Sequence, residues 1–161
     1  MIVVADTSIL LNLGRVGQIE LLRLLFGDVV IPPEVAAEFL RLASISPRFE
    51  GLSLPPWLRQ QSATTVPAIV RAATGLDSGE TAALALAVEI HADAVLLDER
   101  RGHEMAVRLG LRTVGVLGIL LQAKESGSIP KLSPILDLLE RDAGFWIAPA
   151  LRARVLELAH E

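Results

Sequence analysis

DSGETAALALAVEIHADAVLLDERRGHEMAVRLGLRTV, residues 77–114, switches twice between two kinds of pattern. DSGETAALALAVEIH (77–91) is rich in alanine and leucine, which favour helix. AVLLD (94–98) is a short unbroken apolar run of the kind that forms a strand buried on both faces. ERRGHEMAVRLG (99–110) returns to helical spacing, and RTV (112–114) reads as a last short strand. Strands that alternate with helices pair in parallel through right-handed crossovers. In such sheets function gathers where the carboxyl ends of the strands open onto loops.

The same alternation extends towards the N-terminus. IVVA (2–5) is apolar, rich in β-branched residues, and stops at Asp6. After TSILLNLGRVG, the segment QIELLRLLFG (18–27) is compatible with a helix that Gly27 ends. VVI (29–31) reads as a second buried strand. Pro32 and Pro33 suit the first turn of a helix running through PEVAAEFLRLA (33–43). From Ser44 to about Gly75 the chain is irregular, with Pro47, Pro55, Pro56 and Pro67 among polar residues, a short strand expected around WLRQQ (57–61) and a short helix around AIVRAA (68–73). Beyond residue 115, VLGILLQAKESG, SPILDLLERD and PALRARVLELAHE predict three more helices.

A chain of 161 residues fits one domain, able to bury a core without disulfides. Apolar residues make up 52% and aromatics 4%, so that core is built from Leu, Val, Ile and Ala. Cysteine is absent, which removes thiolate metal sites and cysteine nucleophiles and fits a reducing cytoplasm. No basic flank precedes the first apolar run, and no window approaches the roughly 18 apolar residues of a membrane span, so a soluble, cytoplasmic protein is expected. A net charge of −4 argues against a broad basic grip on nucleic acid, but a carboxylate-rich metal site is itself acidic until cations bind.

Four acids fall near strand ends or early in the helix that follows: Asp6, Glu38, Glu80 and Asp98. Each has an ordinary alternative. Asp6 and Asp98 suit helix N-caps. Asp77 to Glu80 has the spacing of a capping box, with Asp77 as the cap. Glu38, one turn after Glu34, suits a solvated face. In combination, and without basic partners, they read as a site for a hard cation, Mg²⁺ or Mn²⁺. His91, His103 and His160 lack the spacing of a zinc motif. The chain has no phosphate-binding GxxxxGK[ST] loop, no GxGxxG after the first strand, no second aspartate in DTS and no GxSxG elbow. These absences set aside nucleotide-binding, phosphatase and serine-hydrolase readings.

VVADTS, IPPEVAAEF, LDSGETAALALA and AVLLDERRG, in this order, resemble the PIN-domain family of metal-dependent ribonucleases, which includes the toxins of many prokaryotic toxin–antitoxin pairs. The stretch from GETAALALA to the Leu- and Gly-rich tail resembles more narrowly a PIN-like subgroup of predicted nucleic-acid-binding proteins. The resemblance implies a three-layer α/β/α domain over residues 1–161, with a central, mainly parallel sheet and a helical extension from about 115 to 161. It implies Asp6, Glu38, Glu80 and Asp98 as catalytic acids, with Asp6, Glu80 and Asp98 holding Mg²⁺ or Mn²⁺. In many members the third acid is an aspartate; Glu80 stands here, with Asp77 as the alternative ligand. Ser8 would support Asp6 or a metal-bound water, or else form a helix-start hydrogen bond. Arg100 and Arg101 suit phosphate recognition, and Lys124 a substrate contact or a helix-end charge. The implied partners are RNA, a small antitoxin protein and a second copy in a homodimer. A non-catalytic binding module, its acids serving as caps or holding a structural cation, is the competing reading.

Overall fold

The computed structural model describes residues 1–161. Five strands, β1 (Ile2–Ala5), β2 (Asp28–Ile31), β3 (Arg59–Gln60), β4 (Ala94–Leu96) and β5 (Thr113–Val114), form one sheet in the order β3-β2-β1-β4-β5. Every neighbouring pair is parallel. Consecutive strand residues point to opposite faces, and Val3, Val4 and Ala5 are all fully buried, so both faces of the central strand are covered. The expected α/β/α layering around a parallel sheet is the architecture found.

The helices are α1 (Thr7–Arg15), α2 (Glu20–Phe26), α3 (Pro33–Ile45), α4 (Ala68–Ala72), α5 (Ser78–Glu89), α6 (Arg100–Arg108), α7 (Val116–Glu125), α8 (Ser133–Arg141) and α9 (Pro149–Leu158). The expected elements all occur. One addition is α1, formed by TSILLNLGR directly after Asp6. It buries Ile9, Leu10, Leu11 and Leu13 and packs against α3 and α7, with Ser8, Asn12 and Arg15 at helical spacing between its apolar residues. The alanines of α5 reflect close packing. Every residue from Ala83 to Ala87 is buried, because α5 lies on β1 and β4 with α3, α4 and α6 against it, and small side chains allow that close approach.

The irregular excursion is tied down by polar contacts to flanking helices. Trp57 donates its indole N–H to Glu20 on α2 (2.9 Å), with Arg23 over its ring, and the amide of Thr64 donates to both oxygens of Glu89 at 2.9 and 3.0 Å. At the far end, Glu161 accepts the amides of Leu132 (2.6 Å) and Ser133 (3.1 Å), capping α8 from outside that helix. No helix is long and apolar enough to cross a membrane.

Candidate metal centre

Strand register brings the first two acids together. Ala5 pairs with Leu96, and the amide of Asp6 donates to the Leu96 carbonyl at 2.9 Å. Asp6 therefore leaves β1 beside the end of β4, where Asp98 follows two residues later. Asp6 occupies the N-cap position of α1, yet its side chain makes no capping hydrogen bond. Asp98 does not cap the helix that follows it either; Glu99 takes that position. The Asp98 carboxylate instead accepts the Val116 amide, at 3.2 Å to each oxygen, and so faces the start of α7. Asp77 does cap α5, accepting the Glu80 amide at 2.7 Å. That bond fixes Glu80 in the first turn, and α3, packed on α5, carries Glu38 to the same place.

These residues line a cavity of about 310 Å³: Asp6, Glu38, Asp77, Glu80, Asp98 and Glu99, with Thr7, Ser8, Asn12 and Phe145. No lysine or arginine lines it. Backbone without side chains makes room for the acids. A Cβ on Gly79 would stand 2.9 Å from a Glu38 oxygen, one on Gly102 would stand 3.1 Å from Glu80 Oε2, and one on Gly115 would collide with Asp98. The buried oxygens Thr7 Oγ1, Ser8 Oγ and Glu80 Oε2 have no hydrogen-bond partner.

The electrostatics follow from burial without counter-charge. Asp6 is pushed up to about 6, chiefly by loss of hydration and then by the charges of Asp77, Glu38 and Asp98, against a lowering bond from Thr7. Glu80, only 6% exposed, is pushed up to about 8. Burial is the main cause; a side-chain hydrogen bond with Asp77, which requires a proton on the pair, and the charges of Asp77 and Asp6 add to it. Glu38 is raised by burial and by Asp77, partly offset by Arg41. Asp98 is raised by burial, opposed by the Val116 amide.

Orphaned oxygens, an all-oxygen donor set and raised carboxylate pKa values fit a hard divalent cation. As the side chains stand, no three acids are arranged tightly enough to form a finished coordination shell.

The basic residues expected near the site are distributed differently. Arg100 is 89% exposed and paired with Glu104 along its own helix (3.1 Å). Lys124 donates to the Pro130 carbonyl (2.9 Å) and lies 3.3 Å from Glu161, tying down the C-terminus away from the cavity lining. Arg101 lies across Gly75 in a neighbouring hollow of about 470 Å³, whose walls include Leu76, Met105 and Arg108. Thr7, Asn12, Glu99 and Phe145 line the cavity without having been singled out from the sequence. Asn12 had a legible signal, a lone amide in an apolar run, one helical turn after Ser8. Phe145, far along the chain, had none.

Comparison with known proteins agrees with this architecture. A solved structure with the same fold is a PilT N-terminus domain protein, SSO1118, from the hyperthermophilic archaeon Sulfolobus solfataricus P2. It is 16% identical, with a TM-score of 0.53 over 76% of this chain and 93% of that one. No curated protein matches. A family model, DUF3368, described as a PIN domain, matches residues 2–161. The chain thus belongs to the PIN-domain family, whose members are generally nucleases.

Proposed function

We propose that this protein is a Mg²⁺- or Mn²⁺-dependent endoribonuclease. The observation that carries the reading is the cavity at the carboxyl edge of the sheet, where Asp6, Glu38, Glu80 and Asp98 meet with no basic residue in the lining and with unpartnered oxygens on Thr7, Ser8 and Glu80. Asp6, Glu80 and Asp98 would hold the cation, with Asp77 at the cavity's edge as a further ligand. Bound there, the cation supplies charge neutralisation and activation for in-line attack on a phosphodiester. Glu38, half-buried and with its proton affinity raised, takes the proton from the attacking water. Ser8 and Thr7 orient that water or a phosphate oxygen through their free hydroxyls. Arg101, held flat on Gly75 beside the cavity, receives a phosphate of the same strand.

The toxin of a toxin–antitoxin pair is the biological role that the family resemblance favours. A small inhibitory partner would supply the basic surface that a chain of net charge −4 lacks. Leu151 and Leu158, 49% and 42% exposed on α9, offer apolar surface for that partner or for a second copy. Growth arrest on expression, relieved by a short protein encoded next to this one, tests the role.

One observation favours the non-catalytic reading. With no finished coordination shell and Glu80 still protonated near neutral pH, the acids are not poised for catalysis before a cation arrives. Incubating a mixed RNA pool with the purified protein separates the two. Cleavage that requires Mn²⁺ or Mg²⁺, stops with EDTA and is lost in a folded Asp6→Asn/Asp98→Asn variant supports the nuclease. Cation binding by calorimetry with no cleavage, and no inhibitor co-purified, supports the binding module.

A further inference from the structure

Beside the carboxylate cavity lies the larger hollow of about 470 Å³, within the roughly 300–1,000 Å³ usual for small-ligand sites. The two adjoin without sharing a lining residue: Leu76 belongs to the hollow and Asp77 to the cavity. One wall is a single face of α6, which carries Arg101, Met105 and Arg108 at helical spacing. The other is the turn between α4 and α5, with Ala73, Thr74 and Leu76.

Charge in the hollow is unbalanced. None of the chain's ion pairs includes Arg101 or Arg108. Glu104, the one acid of the lining, is already paired with Arg100 at 3.1 Å, so two guanidinium groups are left without an anion. Neutral donors stand in the same turn, where the amides of Thr74, Gly75 and Leu76 donate to no backbone carbonyl. Gly75 is held to glycine twice over: its φ of +86° disfavours any side chain, and Arg101 fills the place a Cβ would take. Arg101 is thereby laid across the turn that carries those amides.

We infer that the hollow is a second ligand site, for a phosphate monoester such as a nucleoside monophosphate, held by Arg101 and Arg108 with the nucleoside against Leu76 and Met105. A monoester carries about −1.5 to −2 near pH 7, whereas a diester inside an RNA chain carries a single charge, so two free guanidinium groups match the monoester. Each guanidinium presents a fork of donors suited to phosphate oxygens. A lone carboxylate, as on an acidic peptide, would answer only one of them. A free nucleotide and the phosphorylated end of an RNA strand carry the same group; for the second source the inference rests on the nuclease reading, in which Arg101 meets a phosphate of the strand.

Calorimetry in EDTA compares adenosine 5′-monophosphate, its 3′,5′-cyclic diester and inorganic phosphate. The two nucleotides share base and ribose and differ in the charge of the phosphate, and the monophosphate should bind at least about tenfold more tightly. Arg101→Gln and Arg108→Gln should each weaken its binding on the order of tenfold without moving the melting temperature, because both residues are exposed. Arg101→Lys, which keeps the charge and loses the fork, should fall between parent and Arg101→Gln. Equal binding of the monophosphate and the cyclic diester, no saturable binding of any of the three, or glutamine variants that bind as the parent does would overturn the site. Oligonucleotides ending in a 5′-phosphate or a 5′-hydroxyl, also in EDTA, identify the source. An Arg108-dependent preference for the phosphorylated strand assigns the hollow to RNA ends; no preference, with the monophosphate still bound, assigns it to a free nucleotide. Cleavage in Mn²⁺ is scored apart: monophosphate binding without cleavage keeps the site and removes the nuclease, and cleavage without monophosphate binding does the reverse.

Discussion

A carboxyl group buried to the extent of Glu80, with no cation beside it, avoids a bare charge by keeping a proton or by binding a metal. Without metal, the folded-state pKa values of Asp6 (about 6) and Glu80 (about 8) lie above their ordinary ones. The folded chain then holds more protons than the unfolded chain between those limits. The resulting contribution to stability is complete at acid pH and is lost as pH rises through about 6 and about 8. In EDTA, the melting temperature should fall as pH is raised across that window, and Mn²⁺ should reverse the fall; calorimetric scans at several pH values measure both. Glu80→Gln should be roughly 1–3 kcal/mol more stable than the parent in EDTA above pH 8, at about 1.4 kcal/mol per unit of pKa displacement. At pH 5 it should be nearly neutral. A second prediction at this scale concerns Gly79. Alanine there gains up to about 1 kcal/mol in helix propensity, but its methyl group meets the Glu38 carboxylate. Gly79→Ala should therefore keep or raise the melting temperature while losing at least tenfold in Mn²⁺ affinity or cleavage rate.

At the scale of elements, the strands were legible because two-sided burial turns them into unbroken apolar runs, as in IVVA and AVL. The helix α1 was not. Its signal was present, with Ser8, Asn12 and Arg15 at helical spacing among apolar residues, but TSILLNLGR is short and runs straight on from the first strand. The acids of the site were legible for the opposite reason: Asp6 and Asp98 interrupt apolar runs at strand ends. Arg100 shows the limit of that approach, because its place two residues after Asp98 does not fix the direction of a long side chain, which pairs with Glu104 along its own helix. Phe145 shows another limit, since no local pattern announces a contact made across the fold. Leu84 is fully buried on α5, between the sheet and three other helices. Leu84→Ala should cost about 2–5 kcal/mol, measured by urea unfolding. Gly115→Ala tests α7: at φ −91° the backbone accepts alanine, but the new methyl displaces Asp98. Cleavage should drop at least tenfold in an RNA assay with stability changed by less than about 1 kcal/mol.

For the whole molecule, the topology sets when the site comes into being. The first strand made, β1, ends at the centre of the sheet, and its neighbour β4 lies far down the chain, Val3 pairing with Ala94. Glu161 then closes over the start of α8. Ribosomes add about 5–20 residues per second, so Asp6 waits roughly 5–20 seconds for Asp98 to be synthesised, and longer for Phe145. Residues 1–107 already carry every acid of the cavity and four of the five strands, whereas the Val116 amide that holds Asp98 and the Phe145 wall come later. The acids are therefore all made before the residues that fix and wall them, and the cavity takes its final shape only once residues 115–145 have followed.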